Sequence, residues 1–124
     1  MDKLNWKNLC DIASAEIEET LMKLPAPLRE EAKQLPITFE RIPNVKLLEE
    51  GIEVDTLGLF TGAEFAEKGH IPMPSQIILF LKNLWEYAEE DENAFREEIR
   101  TTFLHELGHF LGLDEDDLIK RGLE

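Results

Sequence analysis

Two histidines four positions apart, His105 and His109, with a glutamate directly after the first, constrain this chain more than any other feature. They acquire a common purpose only on an α-helix. There, positions i and i+4 lie one turn apart on the same face, so both imidazoles can aim a nitrogen at one point. Two such nitrogens are half of a tetrahedral zinc site. Glu106 lies about 100° round the helix from His105, too far to join the pair but placed to take a proton from a metal-activated water. The H-E-x-x-H pattern therefore asks for a helix on which His105 and His109 bind zinc and Glu106 is the general base.

The flanking residues support that helix. Phe95, Ile99, Phe103, Leu104, Leu107, Phe110 and Leu111 recur at three- and four-residue spacing, which predicts a helix over about 91–111 with a wide apolar stripe. Asp91 has the side chain of an N-cap. Ile99, Phe103, Leu107 and Phe110 fall away from the histidines, whereas Glu98 and Thr102 share their face, so the imidazoles look across a cleft and not into the core. Gly112 can take a positive φ and end the helix in a sharp turn that returns a following carboxylate towards the metal. The competing reading is a surface helix with two polar histidines and an ordinary glycine C-cap.

The run from His105 through Gly112 to Glu115 reads H-E-x-x-H-x-x-G-x-x-E, which is similar to the extended zincin pattern H-E-x-x-H-x-x-G-x-x-H/D. The chain as a whole resembles the small, acidic, mainly bacterial zincin-like metallopeptidases over roughly residues 37–119. Leu57–Thr61 with Gly62, Ile77–Phe80 and the motif helix carry the likeness. The resemblance implies Glu115 as third metal ligand. This position holds Asp more often in that family and His in the metzincins, so Asp114 and Asp116 stand beside Glu115 as alternatives. No methionine follows the motif to form a metzincin Met-turn, since Met1, Met22 and Met73 all precede it.

Length and charge bound the partners. A chain of 124 residues suits one domain over 1–124 with a single core. Its 27 acidic against 13 basic residues, net −14, argue against nucleic acid or an anionic membrane as partner and weakly favour basic or neutral substrates. A lone Cys10 excludes an internal disulfide and a thiolate-rich metal site. No long apolar run and no signal-peptide layout are present, which leads to a cytoplasmic expectation.

Along the chain, Leu9, Ile12, Ala13, Ile17, Leu21 and Leu24 predict an amphipathic helix over about 3–24 that packs on a sheet. Pro25 and Pro27 end it. Leu28–Leu35 suits a short second helix and Ile37–Ile42 a strand bounded by Pro36 and Pro43. Val45, Leu47 and Leu48 suggest a turn of helix, and Ile52 and Val54 a short extended piece. Leu57–Thr61 and Gln76–Leu81 read as strands, the second apolar enough to be buried on both faces, with an irregular loop over 63–75 between them. Leu84–Glu90 reads as helix, and Leu118 and Ile119 anchor a last turn. The expected fold is α+β: a small mixed sheet covered by the N-terminal helix and the C-terminal motif helix, minimal and zincin-like.

Other residues enter with lesser claims. His70 is a third candidate ligand or oxyanion donor, set against a solvent-exposed loop histidine. Tyr87, the only tyrosine, is a candidate phenol for the tetrahedral intermediate, set against ordinary helix packing. Glu98 and Thr102 are candidates to orient a histidine ring, with solvated helix surface as the default. The expected activity is zinc-dependent hydrolysis of a peptide or protein, the substrate lying along an exposed sheet edge at Leu57–Thr61 or Gln76–Leu81. The alternative is a zincin-shaped metal-binding or protein-interaction domain without catalysis.

Overall fold

The computed structural model describes residues 5–62 and 75–111. Within them the elements run α1 (Trp6–Met22), α2 (Ala26–Lys33), β1 (Ile37–Glu40), α3 (Val45–Glu49), β2 (Gly58–Thr61), β3 (Gln76–Phe80), α4 (Leu81–Tyr87) and α5 (Glu92–Leu111). This is the expected α+β arrangement. The strands form one mixed sheet in the order β1-β3-β2, with β1 parallel and β2 antiparallel to the central β3.

The period of two in a strand explains why β3 is apolar throughout. Ile77 and Leu79 face the helical layer and belong to the main core, whereas Ile78 and Phe80 face the opposite side and pack with Leu47 of α3. All four are buried. β3 therefore has a ladder partner on each edge and a covered surface on each face.

The helical layer is α1 against α5; α5 packs on β2 and β3, and the inner face of α1 joins the same core as Ile77 and Leu79. The Asn5 side chain accepts the Asn8 N–H at 3.0 Å and starts α1. Leu9, Ala13 and Ile17 are buried on its inner face, and Phe95, Ile99, Phe103 and Leu107 on that of α5. A buried carboxylate also joins the two helices: Glu16 meets Arg100 at 3.3 Å and Arg96 at 3.8 Å. No helix among the described residues is long and apolar enough to cross a membrane.

Several boundaries differ from the expectation, each for a local reason. The second helix begins at Ala26, because a proline in the first turn lacks only an N–H that would have no partner there. β1 stops at Glu40, and Arg41 turns its guanidinium over the Trp6 ring, 4.4 Å from the centroid. Val45–Glu49 is helical as the sequence suggests, with the Asn44 side chain capping it at the Leu47 N–H, 2.8 Å. Ile52 and Val54 form no strand. Instead the Asn83 side chain donates to the Val54 and Thr56 carbonyls at 2.8 and 2.9 Å, taking the place of a ladder neighbour.

β3 ends at Phe80, and Leu81 already belongs to α4, which closes at Tyr87 and does not reach Glu90. Glu89 and Glu90 adopt φ of 58° and 60°. These two left-handed residues reverse the chain, so that Asp91 can accept the Ala94 N–H at 2.8 Å and cap α5 as expected. The edge-to-face contact of Trp85 with Phe95, centroids 5.4 Å apart, fastens the reversal.

Candidate metal centre

The apolar stripe decides which way the motif points. Phe103 and Leu107 are buried against sheet and α1, which leaves His105 and His109 exposed on the other side of α5 with Glu106 half-buried between the two environments. The imidazole Nε2 atoms approach to 3.3 Å, with the ring planes 86° apart. Ligand atoms of His105, Glu106 and His109 all lie within 4.8 Å of one another.

That spacing tests the fit of a metal. Tetrahedral zinc with bonds of about 2.0–2.1 Å places two nitrogens about 3.3–3.4 Å apart. The two Nε2 atoms already stand at that separation, so the donor spacing fits zinc. His105 and His109 are the residues that would hold it.

Glu106 is fixed by the sheet. The Phe60 N–H donates to Glu106 Oε1 at 2.9 Å. In the antiparallel register of β2 with β3, Leu57, Leu59 and Thr61 turn their amide groups to β3, as the Phe80 N–H to Leu57 carbonyl bond of 3.0 Å shows. Gly58 and Phe60 therefore turn theirs to the open edge, where the glutamate stands. Burial pushes the Glu106 carboxyl above the ordinary range, and His109, His105 and the Phe60 N–H oppose that rise in turn.

Close approach of strand and helix makes this contact attainable. A Cβ on Gly58 would stand 2.5 Å from Thr102 Cγ2 and 3.5 Å from Glu106 Cγ. Only a residue without a side chain lets β2 lie so near α5. One turn beyond Glu106, the Phe60 ring packs on Phe110 with centroids 5.8 Å apart.

A family model for zincin-like metallopeptidases matches residues 32–123. The chain belongs to the zincin-like metallopeptidase family. Its match takes in the sheet, α5 and the complete H-E-x-x-H run, wider than the 37–119 stretch that carried the resemblance. No curated protein matches the chain.

The zincin-like site thus brings together His105, Glu106 and His109. Glu115, Asp114, Asp116 and His70 lie outside the described residues. Tyr87 ends α4 with 63 % of its surface exposed and does not line the recess beside the histidines. Thr102 corrects the expectation of solvated surface, being buried under Gly58. Of the two candidate substrate strands, β3 is central and paired on both edges, so among the described residues β2 is the one of the two at the edge of the sheet. Gly58 and Phe60 were not singled out as working residues by the sequence reading. An isolated glycine inside an apolar strand is the signal of close backbone approach that marks them.

Proposed function

We propose that this chain is a zinc-dependent peptidase in which His105, His109 and Glu115 hold the metal and Glu106 is the general base. The observation that carries the reading is the pair of Nε2 atoms at 3.3 Å beside a carboxylate whose Oε1 is held by the Phe60 N–H. Zinc, when bound, supplies Lewis acidity towards the peptide carbonyl and lowers the pKa of water.

The chain's own groups do the rest. With Oε1 engaged, Glu106 keeps Oε2 for the attacking water, from which it takes a proton and later passes it to the leaving amine nitrogen. Partial burial raises its basicity towards the range useful for that exchange. The edge of β2 leaves Gly58 N–H, Gly58 C=O and Phe60 C=O directed outward, a template on which an extended peptide adds as a further strand.

Zinc stoichiometry and peptide hydrolysis, measured on the same preparations, test the proposal. One zinc per chain is expected, retained in Glu106→Gln and lost when His105 and His109 are both replaced by Ala. Turnover is expected to fall at least about 10²-fold in Glu106→Gln. A zinc-loaded chain that cleaves nothing in a mixed peptide library would instead be a metal-binding domain, and absence of stoichiometric zinc would remove the metal centre altogether.

A further inference from the structure

Beside the histidines, an open cavity of about 310 Å³ runs between the start of β2 and the upstream part of α5, lined by Leu57, Gly58, Glu98, Thr101, Thr102, His105 and Glu106. Its size is at the low end of ligand pockets, roughly 300–1,000 Å³, and suits one amino-acid side chain. Because His105 and Glu106 form one wall, whatever fills it is attached to the residue next to the reacting bond. Leu57 and the methyl groups of Thr101 and Thr102 are apolar and would accept an aliphatic stem.

Glu98 is the one charged group in this lining apart from the motif residues. It is half-buried and makes no hydrogen bond or ion pair among the described residues. Glu92 and Glu16, by contrast, each have an arginine partner. α5 carries two arginines and no lysine, and both arginines face away: Arg96 meets Glu92 at 2.8 Å and Arg100 meets Glu16 at 3.3 Å. The helical neighbours of Glu98 at three and four residues are Ala94, Phe95, Thr101 and Thr102, none of them cationic. A partly desolvated carboxylate with no counter-ion at an apolar-walled recess is suited to a long cationic side chain, whose stem lies on the wall and whose head reaches the charge.

We infer that this cavity is a specificity subsite and that Glu98 selects an arginine or lysine side chain flanking the cleaved bond. The inference rests on the peptidase reading for its place in catalysis. The recess and its carboxylate exist independently of that reading. The net charge of −14 works in the same direction at long range, drawing basic peptides to the surface.

Two measurements test it. In the first, the isotopically labelled chain is titrated with n-butylguanidinium and with neutral n-butylurea while backbone amides are followed by NMR. The guanidinium is expected to give saturable shifts at Leu57, Gly58, Thr101 and Thr102, with affinity about tenfold weaker in Glu98→Gln. Butylurea binding equally well, an unchanged affinity in Glu98→Gln, or shifts confined to other amides would overturn the subsite. In the second, zinc-loaded chain receives paired peptides differing only in arginine against citrulline. The arginine peptide is expected to have the higher kcat/KM by about tenfold, with the ratio falling towards one in Glu98→Gln. Cleavage without that preference would overturn the inference alone. Guanidinium binding without any cleavage would support the subsite and sink the peptidase reading. Glutamine is a good helix former at a partly exposed site, so the variant is expected to fold.

Discussion

Replacing Gly58 by Ala tests whether strand-to-helix contact positions Glu106. Gly58 has no left-handed φ, so if space were free the substitution would stabilise the chain by about 0.4–1 kcal/mol through the unfolded state. Space is not free. The new methyl would meet Thr102 Cγ2 at 2.5 Å and Leu79 Cδ2 at 3.2 Å, against an ordinary carbon–carbon separation of about 3.5–4.0 Å. Thr102 is buried on α5 and stiff at χ1, whereas β2 is an edge strand, so the strand gives by about 1 Å. That displacement would lengthen the Phe60 N–H to Glu106 bond from 2.9 Å to about 3.9 Å, beyond hydrogen-bond range. Overpacking costs about 1–3 kcal/mol, and a hydrogen bond to a charged group about 1.5–3 kcal/mol. Both follow from one movement and do not add in full, so a loss of about 2–4 kcal/mol is expected in urea unfolding. Thr102→Ser deletes the obstructing methyl, and the double variant should regain at least half of the loss. A Gly58→Ala chain as stable as the parent, or an additive cycle with Thr102→Ser, would refute the reasoning.

Two further outcomes follow from particular groups. In the metal-free chain burial raises the Glu106 carboxyl above its ordinary value of 4.5, so its contribution is fully present below pH 4.5 and is lost as pH rises through the higher folded value. Glu106→Gln removes that loss. The stability of the variant relative to the parent, measured by urea unfolding with a chelator present, should increase between about pH 4.5 and neutrality, and a difference that is flat or declines with pH would contradict it. Glu90→Gly relieves a left-handed residue at φ 60° in the reversal before α5. The strain released, about 1–2 kcal/mol, exceeds the entropy that glycine loses, about 0.5–1 kcal/mol, so thermal unfolding should shift upward; no shift or a fall would show that the turn is not strained.

How much of this was legible beforehand depended on whether a signal was periodic. α1, α5 and β3 announce themselves because burial on one helical stripe or on both faces of a strand leaves a repeating apolar pattern, as in Phe95, Ile99, Phe103 and Leu107. The junction of β3 with α4 left no such mark. Leu81 is fully buried and apolar like the strand before it, and composition does not distinguish the two backbones. The reversal at Glu89 and Glu90 was equally hidden, since left-handed turns are expected at glycine or asparagine and here fall on glutamates.

The sequence by itself determined the histidine-bearing helix, because four-residue spacing on a 3.6-residue repeat fixes His105 and His109 to one side and the stripe of phenylalanine, isoleucine and leucine fixes the opposite side to the core. Tertiary structure decided what surrounds them. That β2 is the edge strand, that its Phe60 N–H holds Glu106, and that Glu98 is left facing an open recess while both arginines of α5 turn elsewhere all depend on contacts between residues far apart in the chain. Such contacts are set by which surfaces pack together, and a local pattern records only that a surface is apolar, not which neighbour will cover it.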